Sequence, residues 1–555
     1  MGSSSILRLK KSNCKNCHKC IRYCPVKAIK FSAGQANVVE DECILCGQCF
    51  EVCPQSAKEI SSDVEKVKVM TATDSVYVSL APSFVAAFPE LGIDSLREGL
   101  IALGFKGAEE TAIGATIVKT EYERILREEQ PNVLVSSCCT SINLLMRKHY
   151  PDTLFALAPV VSPAQAHCAD MKRRMGNIKT VFIGPCIAKK QEAEEGDEID
   201  AVLSFDELKD WLDSEGIVLS NKPDAQVGGK ARLFPTTGGV LSTMEKLPNY
   251  TYLAVDGVDK CLEVLEEIRL GRLHHCFIEL SACMGSCAGG PLFIKKSPAF
   301  NTAQIIRYTA KEDFDVAQPE SSDLHKSYSP MNIYADIPSE REIEEMLVKM
   351  GKHSPETHLN CGSCGYNSCR DKAIAIIQGK AEISMCLPAM MEKSESFSDT
   401  VIQNSPNGIL VLNEDLEIQK INPVACRIMR IRDAKTVLGD DIGRLMDPNV
   451  FTKVRHKSKM ISTERTYLSE YGYYVDRTIL YNDECHLYIC IMRDVSDEMS
   501  QQEKKMEMRM HAVDIADDVA KKQLKIVQEI ASLLGETAAD TLIAIERLKE
   551  TISDD

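Results

Sequence analysis

A pair of matching cysteine runs constrains this chain more than any other feature. Cys14, Cys17, Cys20 and Cys24 with Pro25 spell C-x2-C-x2-C-x3-C-P, and Cys43, Cys46, Cys49 and Cys53 with Pro54 repeat it. Sulfurs this closely spaced meet only if one turn of backbone wraps a common centre, so the first 66 residues must fold around what the thiolates hold. The 555 residues contain 23 cysteines, a number that in a secreted protein would suggest disulfides. Met1 to Lys11 carries Leu7, Leu9 and basic residues without the apolar core of a secretory leader. Metal ligation in a reducing cytoplasm therefore accounts better for the thiols. No apolar run is long enough to span a bilayer, and a net charge of −16 argues against nucleic acid or an anionic membrane as partner. At this length several domains are expected, and 44% hydrophobic content supplies each with a core.

The duplicated run resembles two-cluster ferredoxins, which implies two 4Fe–4S cubes and one-electron transfer by residues 1–66. In that family the fourth cysteine crosses over. One cube would then take Cys14, Cys17, Cys20 and Cys53, and the other Cys43, Cys46, Cys49 and Cys24. A pair of zinc sites is the competing reading of tight C-x2-C pairs.

From 67 to 310 apolar strand-like runs alternate with helical patterns, which reads as an α/β domain with largely parallel sheets. Three cysteine signatures lie within it: V-S-S-C-C-T at Val135–Thr140, G-P-C-I-A-K-K-Q-E at Gly184–Glu192, and E-L-S-A-C-M-G-S-C-A-G-G-P at Glu279–Pro291. Two of them directly follow strand-like runs, where open α/β sheets place active sites.

In order and approximate spacing these signatures resemble those of the iron-only (FeFe) hydrogenases. The resemblance implies an H-cluster: a 4Fe–4S cube on Cys139, Cys186, Cys283 and Cys287, joined to a two-iron unit with CO and cyanide ligands. It makes Cys138 the thiol that hands protons to the two-iron unit, Lys189 the donor to a cyanide, and Glu192 the carboxylate partner of Lys189. Pro82 and Ser83 in Ala81-Pro82-Ser83 match the wall of the same pocket, and Phe234 to Val240 resembles a further segment near the cluster. Without the resemblance, Cys138 reads as an inert or alternative ligand thiol, and the charged run after Lys189 as a solvated helix.

Several positions depart from the family pattern. Gly184 and Ser281 stand where many hydrogen-producing relatives have methionine, Thr140 where they have proline, and Ala164 where a glutamine approaches the bridging ligand. Tyr122 falls where a proton-relay glutamate is expected, leaving the outer proton path open. Ligands retained within an altered surrounding shell suggest slow turnover or a changed direction, as in detection.

Residues 311–352 read as a linker, rich in Ser, Asp and Pro over Ala317–Pro330, and a helix over Pro338–Lys352. In 353–392, Cys361, Cys364, Cys369 and Cys386 form C-x2-C-x4-C-x16-C. This is similar to small four-cysteine cluster domains of carbon monoxide and acetyl-CoA pathway proteins, implying one further 4Fe–4S cluster; zinc is the competing reading. Residues 393–498 resemble a PAS domain through Asn404, Pro406, Gly408 and Asn422-Pro423. Its lone cysteines, Cys426, Cys485 and Cys490, read as core residues. The tail, 499–555, is helical: Leu524, Val527, Ala531 and Leu534 fall at helical steps, Gly535 breaks the run, and Leu542, Ile545, Leu548 and Ile552 resume it. A dimeric coiled coil, a hairpin, or a helix packed on the PAS domain would each satisfy that pattern.

The fold class expected is therefore multidomain α+β: ferredoxin module, α/β H-cluster domain, four-cysteine iron–sulfur domain, PAS domain and C-terminal helices. The resemblance to the PAS-bearing sensory class (group C) implies reversible 2H+ + 2e− ⇌ H2 and slow hydrogen sensing in the cytoplasm of an anaerobe. Implied partners are H2 and protons, a ferredoxin-like electron carrier, maturation proteins, a separate kinase or phosphatase, and a second copy through the PAS domain or tail. The alternatives are a hydrogenase-like cluster-assembly protein without the two-iron unit, and a cluster-based redox sensor without turnover.

Overall fold

Each N-terminal cysteine run leads into a short helix bearing its third cysteine, Lys19–Tyr23 in the first half and Gln48–Glu51 in the second. Between the cysteines the backbone turns left-handed at equivalent positions: Asn16 (φ 56°) and His18 (φ 55°), then Leu45 (φ 54°) and Gly47 (φ 79°). Side-chain-bearing residues adopt this region at a cost, so its recurrence in both halves marks a shared constraint, a chain wound round a sulfur-lined centre. The Ala28 and Ala57 N–H groups donate to Cys24 and Cys53 Sγ, each at 3.3 Å. Two antiparallel pairs close the module, Leu7–Leu9 with Lys58–Ile60 and Ile29–Ser32 with Gln35–Val38. This computed structural model describes residues 6–10, 13–89, 91–220, 228–293, 297–331, 338–456 and 461–552. They fall into two units, Met1–Met390 and Met391–Asp555.

The central region is α/β with parallel sheets, as its alternation predicts, and its strands form two of them. In the first, Val76–Leu80 lies between Gly107–Glu110 and Lys179–Ile183, with Ala201–Leu203 beyond. In the second, Cys276–Ser281 lies between Thr251–Asp256 and Val133–Val135. Val76, Val78, Leu80, Val133, Leu134 and Val135 are all buried, as strands covered on both faces must be. Cys186 follows a strand of the first sheet; Cys139 and Cys283 follow strands of the second. The site is thus assembled by strand ends from both sheets.

The segment read as a linker is a strap on this domain. Leu324 is buried, its carbonyl accepts from Val161 N at 2.9 Å, and Lys326 N and Met331 N donate to the Pro159 and Arg147 carbonyls. Polarity misled here because two anchors, Leu324 and Tyr328, suffice to hold the strap. The helix expected at Pro338–Lys352 spans Glu340–Lys349, begun by a reciprocal Ser339–Glu342 capping box. The four-cysteine module docks on the ferredoxin module. Arg22 donates to the Gly362 and Ser363 carbonyls, Lys27 to that of Gly365, and Lys380 pairs with Glu42 at 2.8 Å.

The second unit has the PAS-like strand order. Gly408–Leu412 pairs antiparallel with both Ile418–Ile421 and the last strand, Leu487–Asp494, which continues into Tyr473–Asn482 and Ile461–Leu468. Asn422 is buried and holds the turn together. Its side chain accepts from Ala425 N and Ile409 N and donates to the Ile402 and Asn407 carbonyls. Cys490 is a core residue and Cys426 half-buried, but Cys485 is exposed in a turn.

The tail is one helix of 57 residues, Ser496–Ile552, about 86 Å long at 1.5 Å per residue. Gly535 does not break it, so the hairpin reading fails: about 1 kcal/mol against alanine does not stop so long a ladder. Leu524, Val527, Leu534, Leu542, Ile545 and Leu548 are exposed, so the helix is not packed on its own PAS domain along this length either.

Candidate active site between two parallel sheets

Cys139, Cys186, Cys283 and Cys287 line one cavity of about 110 Å³. One water needs roughly 10–15 Å³, so the space suits a larger occupant. Pro82, Ser83, Cys138, Ala164, Lys189 and Ser281 line the same cavity. Residues drawn from across the central domain thus meet at one place. Gly184 and Glu192 stand behind the wall. A Cβ on Gly184 would come within 2.8 Å of the Phe182 ring and 2.9 Å of Ala81 Cβ, and it is the Phe182 ring that reaches the cavity. The glutamine beside Ala164 points elsewhere: Gln165 Nε2 donates to Glu198 and its oxygen accepts from Lys326.

The cavity's donors suit an anionic iron–sulfur group. Ser83 Oγ is buried without a hydrogen-bond partner, and Ala282 N approaches Cys139 Sγ at 3.5 Å. Burial, then the Cys186, Cys139 and Cys287 sulfurs, pushes the Cys283 thiol well above its ordinary value. Burial raises Cys186 to about 11, even with the Lys189 ammonium opposing it. Loading metal must therefore expel protons from these thiols. The ammonium of Lys189 pairs with the Glu192 carboxylate, and both are buried. Burial alone would lower Lys189; Glu192, then Cys186, more than offsets it and holds the ammonium above its usual value.

Three residues gain contacts that their spacing did not reveal. Thr140 Oγ1 donates to Glu192 at 3.4 Å, a bond the proline of relatives has no side-chain hydroxyl to make. Tyr122 is buried with its hydroxyl 3.3 Å from Cys138 Sγ and 2.9 Å from Ser137 Oγ. Burial raises Cys138 to about 12, and the Tyr122 hydrogen bond acts against that rise. Glu279, the first residue of the third signature, accepts from Gly238 N at 3.0 Å and Leu241 N at 3.2 Å. Burial, opposed by these N–H groups, brings its carboxyl up to about 7, and its charge is felt at Cys138. Its position four residues before Cys283 was the available sequence signal.

Eleven other cysteines fall into three further sets. Cys24 lies within the electrostatic reach of Cys43, Cys46 and Cys49, as the crossover implies. Cys20 feels Cys17 and Cys14. Cys361, Cys364, Cys369 and Cys386 surround the buried Lys372. Cys46 in turn reaches Cys283, and at Gly47 a Cβ would stand 2.6 Å from Pro291. The ferredoxin module therefore abuts the central cavity directly.

Four cysteine groups, a buried ion pair beside the group that lines the cavity, and an α/β frame define a multidomain iron–sulfur protein. Residues 74–291 match the model of the iron-only hydrogenase large subunit, C-terminal domain. Residues 6–54 match a 4Fe–4S dicluster domain, and 358–388 an Fe–S cluster family. The central domain thus resembles that hydrogenase domain, and the segments on either side resemble iron–sulfur modules. The chain is 26% identical over 358 residues to the periplasmic [Fe] hydrogenase large subunit of Nitratidesulfovibrio vulgaris, covering 51% of this chain and 85% of that one. It is 26% identical over 282 residues to iron hydrogenase 1 of Clostridium pasteurianum, covering 39% and 49%. A solved [FeFe]-hydrogenase of Chlamydomonas reinhardtii aligns at 18% identity with a TM-score of 0.40, over 49% of this chain and all of that one. Among the described residues no helix is long and apolar enough to cross a membrane.

Proposed function

We propose that the chain is an FeFe-hydrogenase interconverting protons, electrons and dihydrogen at an H-cluster held by Cys139, Cys186, Cys283 and Cys287. The observation that carries this reading is the convergence of Cys138, Lys189 and the unpartnered Ser83 hydroxyl on the cavity those four thiols line. When bound, the two-iron unit would supply the metal at which H2 is made and split. Cys138 holds a proton at Sγ facing that place, and Tyr122 and Glu279 lie behind it. Lys189 presents an ammonium to an anionic ligand, oriented by Glu192, which is itself oriented by Thr140. Ser83 offers its hydroxyl from the opposite wall, and the apolar surfaces of Pro82, Ala164 and Phe182 exclude water. Electrons would pass from a ferredoxin-like carrier through the Cys14-bearing and Cys24-bearing cubes, by way of the contact between Gly47 and Pro291. A further cluster would occupy Cys361, Cys364, Cys369 and Cys386.

The sensory role rests on the altered residues around the cavity, the PAS-like unit and the exposed apolar stripe of the tail. Hydrogen status would be reported through 393–498, with the tail forming a coiled coil with a second copy and passing the signal to a separate kinase or phosphatase in the cytoplasm. The functional limits proposed are 1–66, 67–310 with the strap to 331, the helix and four-cysteine module to 392, 393–498 and 499–555. Infrared spectra after maturation test the site: bands of bound CO and cyanide, with H/D exchange, are expected. Iron–sulfur signals with neither would instead favour a cluster-based redox sensor. Voltammetric turnover as fast as bulk hydrogen producers would refute the sensory part.

A further inference from the structure

We propose that a second proton route joins the cavity to the surface through Thr111, Ser79, His167 and Glu109. It rests on the hydrogenase reading, which requires protons to cross the cavity wall. On the Cys138 side the row that runs through Tyr122 ends at a carbonyl, and Glu279 stands apart from that row, held by the Gly238 and Leu241 N–H groups. Cys138 meets Tyr122, Tyr122 meets Ser137, and Ser137 Oγ donates to the Val160 carbonyl at 2.7 Å. A carbonyl oxygen accepts a hydrogen bond but has no proton to pass on.

The opposite wall offers a row that continues. Thr111 lines the cavity, and its Oγ1 lies 2.7 Å from Ser79 Oγ. Ser79 Oγ lies 2.8 Å from His167 Nδ1, and His167 Nε2 lies 3.3 Å from Glu109 Oε2. Ser79 and His167 have no exposed surface, whereas the Glu109 side chain is 25% exposed and the Arg174 guanidinium that pairs with it 42%. Arg174 also holds Asp170, which Arg173 pairs in turn. The row therefore runs from the cavity, through fully buried groups, to a solvated cluster of charge.

Hydrogen-bond logic gives the row a direction. Burial would raise the Glu109 carboxyl, but His167 and Arg174 bring it down to about 2, so it is a carboxylate that accepts from Nε2–H. In the tautomer that carries its proton on Nε2, Nδ1 accepts from the Ser79 hydroxyl, and Ser79 accepts from Thr111. All donors point outward. For outward transfer, a proton arrives at Thr111 Oγ1 as its own passes to Ser79, Ser79's passes to Nδ1, and that on Nε2 passes through Glu109 to solvent. Each O–H or N–H bond broken is replaced by one formed, and no electrons change hands. Rotation of the two hydroxyls and tautomerisation of the imidazole from Nδ1–H back to Nε2–H reset the row; inward transfer is the reverse.

A purely structural role would be to tie the helix Pro163–Met175 to the strand Val76–Leu80, and His167→Gln separates the two. The glutamine carbonyl can accept from Ser79 and its amide can donate to Glu109, but an amide does not relay protons. In the fully matured chain, the rate of proton-linked infrared band changes after a potential step would be measured in H2O and D2O. Both His167→Gln and Ser79→Ala are expected to slow it by roughly 10²-fold with band positions unchanged, within the range that positioned acid–base groups supply. Added imidazole should partly restore the rate in His167→Gly. Rates within about twofold of the parent in both variants would overturn the proposal. The CO and cyanide bands of the parent report separately on the hydrogenase reading, and their absence would remove both.

Discussion

The buried pair of Lys189 and Glu192 should behave as one energetic unit. Their side chains are 9% and 2% exposed, and Thr140 gives Glu192 its other hydrogen bond. In Glu192→Gln the ammonium stays buried without a counter-charge, which costs about 3–5 kcal/mol; Lys189→Met strands the carboxylate at a similar cost. Replacing both removes the desolvation penalty together with the attraction, so Lys189→Met/Glu192→Gln should lie within about 2 kcal/mol of the parent. The resulting coupling is at least about 4 kcal/mol. Trp211, the chain's single tryptophan, is buried in the same unit, so its fluorescence during urea unfolding is a suitable readout. Lys189 is raised in the folded state above 10.5, so the pair's contribution is fully present below that value and is lost as pH rises through the higher folded one. The parent's advantage over Glu192→Gln should therefore be level through neutral pH and shrink only in strong alkali. Additive single-variant losses in the double variant would refute this account.

Glu279 makes the opposite demand. Its rise from 4.5 to about 7 means that stability, complete below 4.5, falls by about 3 kcal/mol as pH climbs through the folded value. Glu279→Gln should flatten that part of the urea-stability profile, and an unchanged slope would count against the burial argument. Ser83→Ala, which removes an unpartnered buried hydroxyl, should leave cluster-free stability unchanged or raise it by about 1 kcal/mol while shifting a cyanide infrared band of the matured chain. Asn422→Ala removes the four hydrogen bonds of a buried side chain from the PAS-like unit. Hydrogen exchange over 408–494 should show a loss of about 3 kcal/mol or more, with the central domain unaffected. Gly184→Ala should cost about 1–3 kcal/mol by urea unfolding, because its methyl would meet both Phe182 and Ala81.

What could be read from the chain was what is local. The cysteine runs stood out because their spacing is set by one turn of backbone, whereas Lys189 and Glu192 were singled out only by the family resemblance, since alone their run reads as a solvated helix. Thr140 bonding Glu192, Tyr122 touching Cys138, and His167 reaching Ser79 all join segments distant in sequence. Their partners exist only once two parallel sheets and the helices Ala112–Glu128 and Pro163–Met175 are packed; at Gly114 the Pro163 carbonyl would lie 2.1 Å from an added Cβ. The strap at 317–330 and the unbroken helix through Gly535 were misread for a related reason. Composition measures average preference, and a few anchors or a long hydrogen-bonded ladder outweigh it.

The same packing changes what the departures from the hydrogenase pattern mean. A glycine at 184 in place of a large side chain suggests a widened pocket, yet the space beside it is taken by the Phe182 ring, two residues earlier on the same strand face. The Phe182 ring thus fills the space that a side chain at 184 would take. At Thr140 the exchange runs the other way, since a hydroxyl is gained and spent on Glu192, tightening the support of Lys189. Ser281 and Ala164 border the cavity with small side chains, one polar and one apolar. On the function proposed above, the cavity keeps the four cysteines while the polarity of its lining is altered at Thr140, Ala164 and Ser281. Such a change acts on potential, proton delivery and ligand affinity more than on cluster binding, which is the kind of alteration a detector requires.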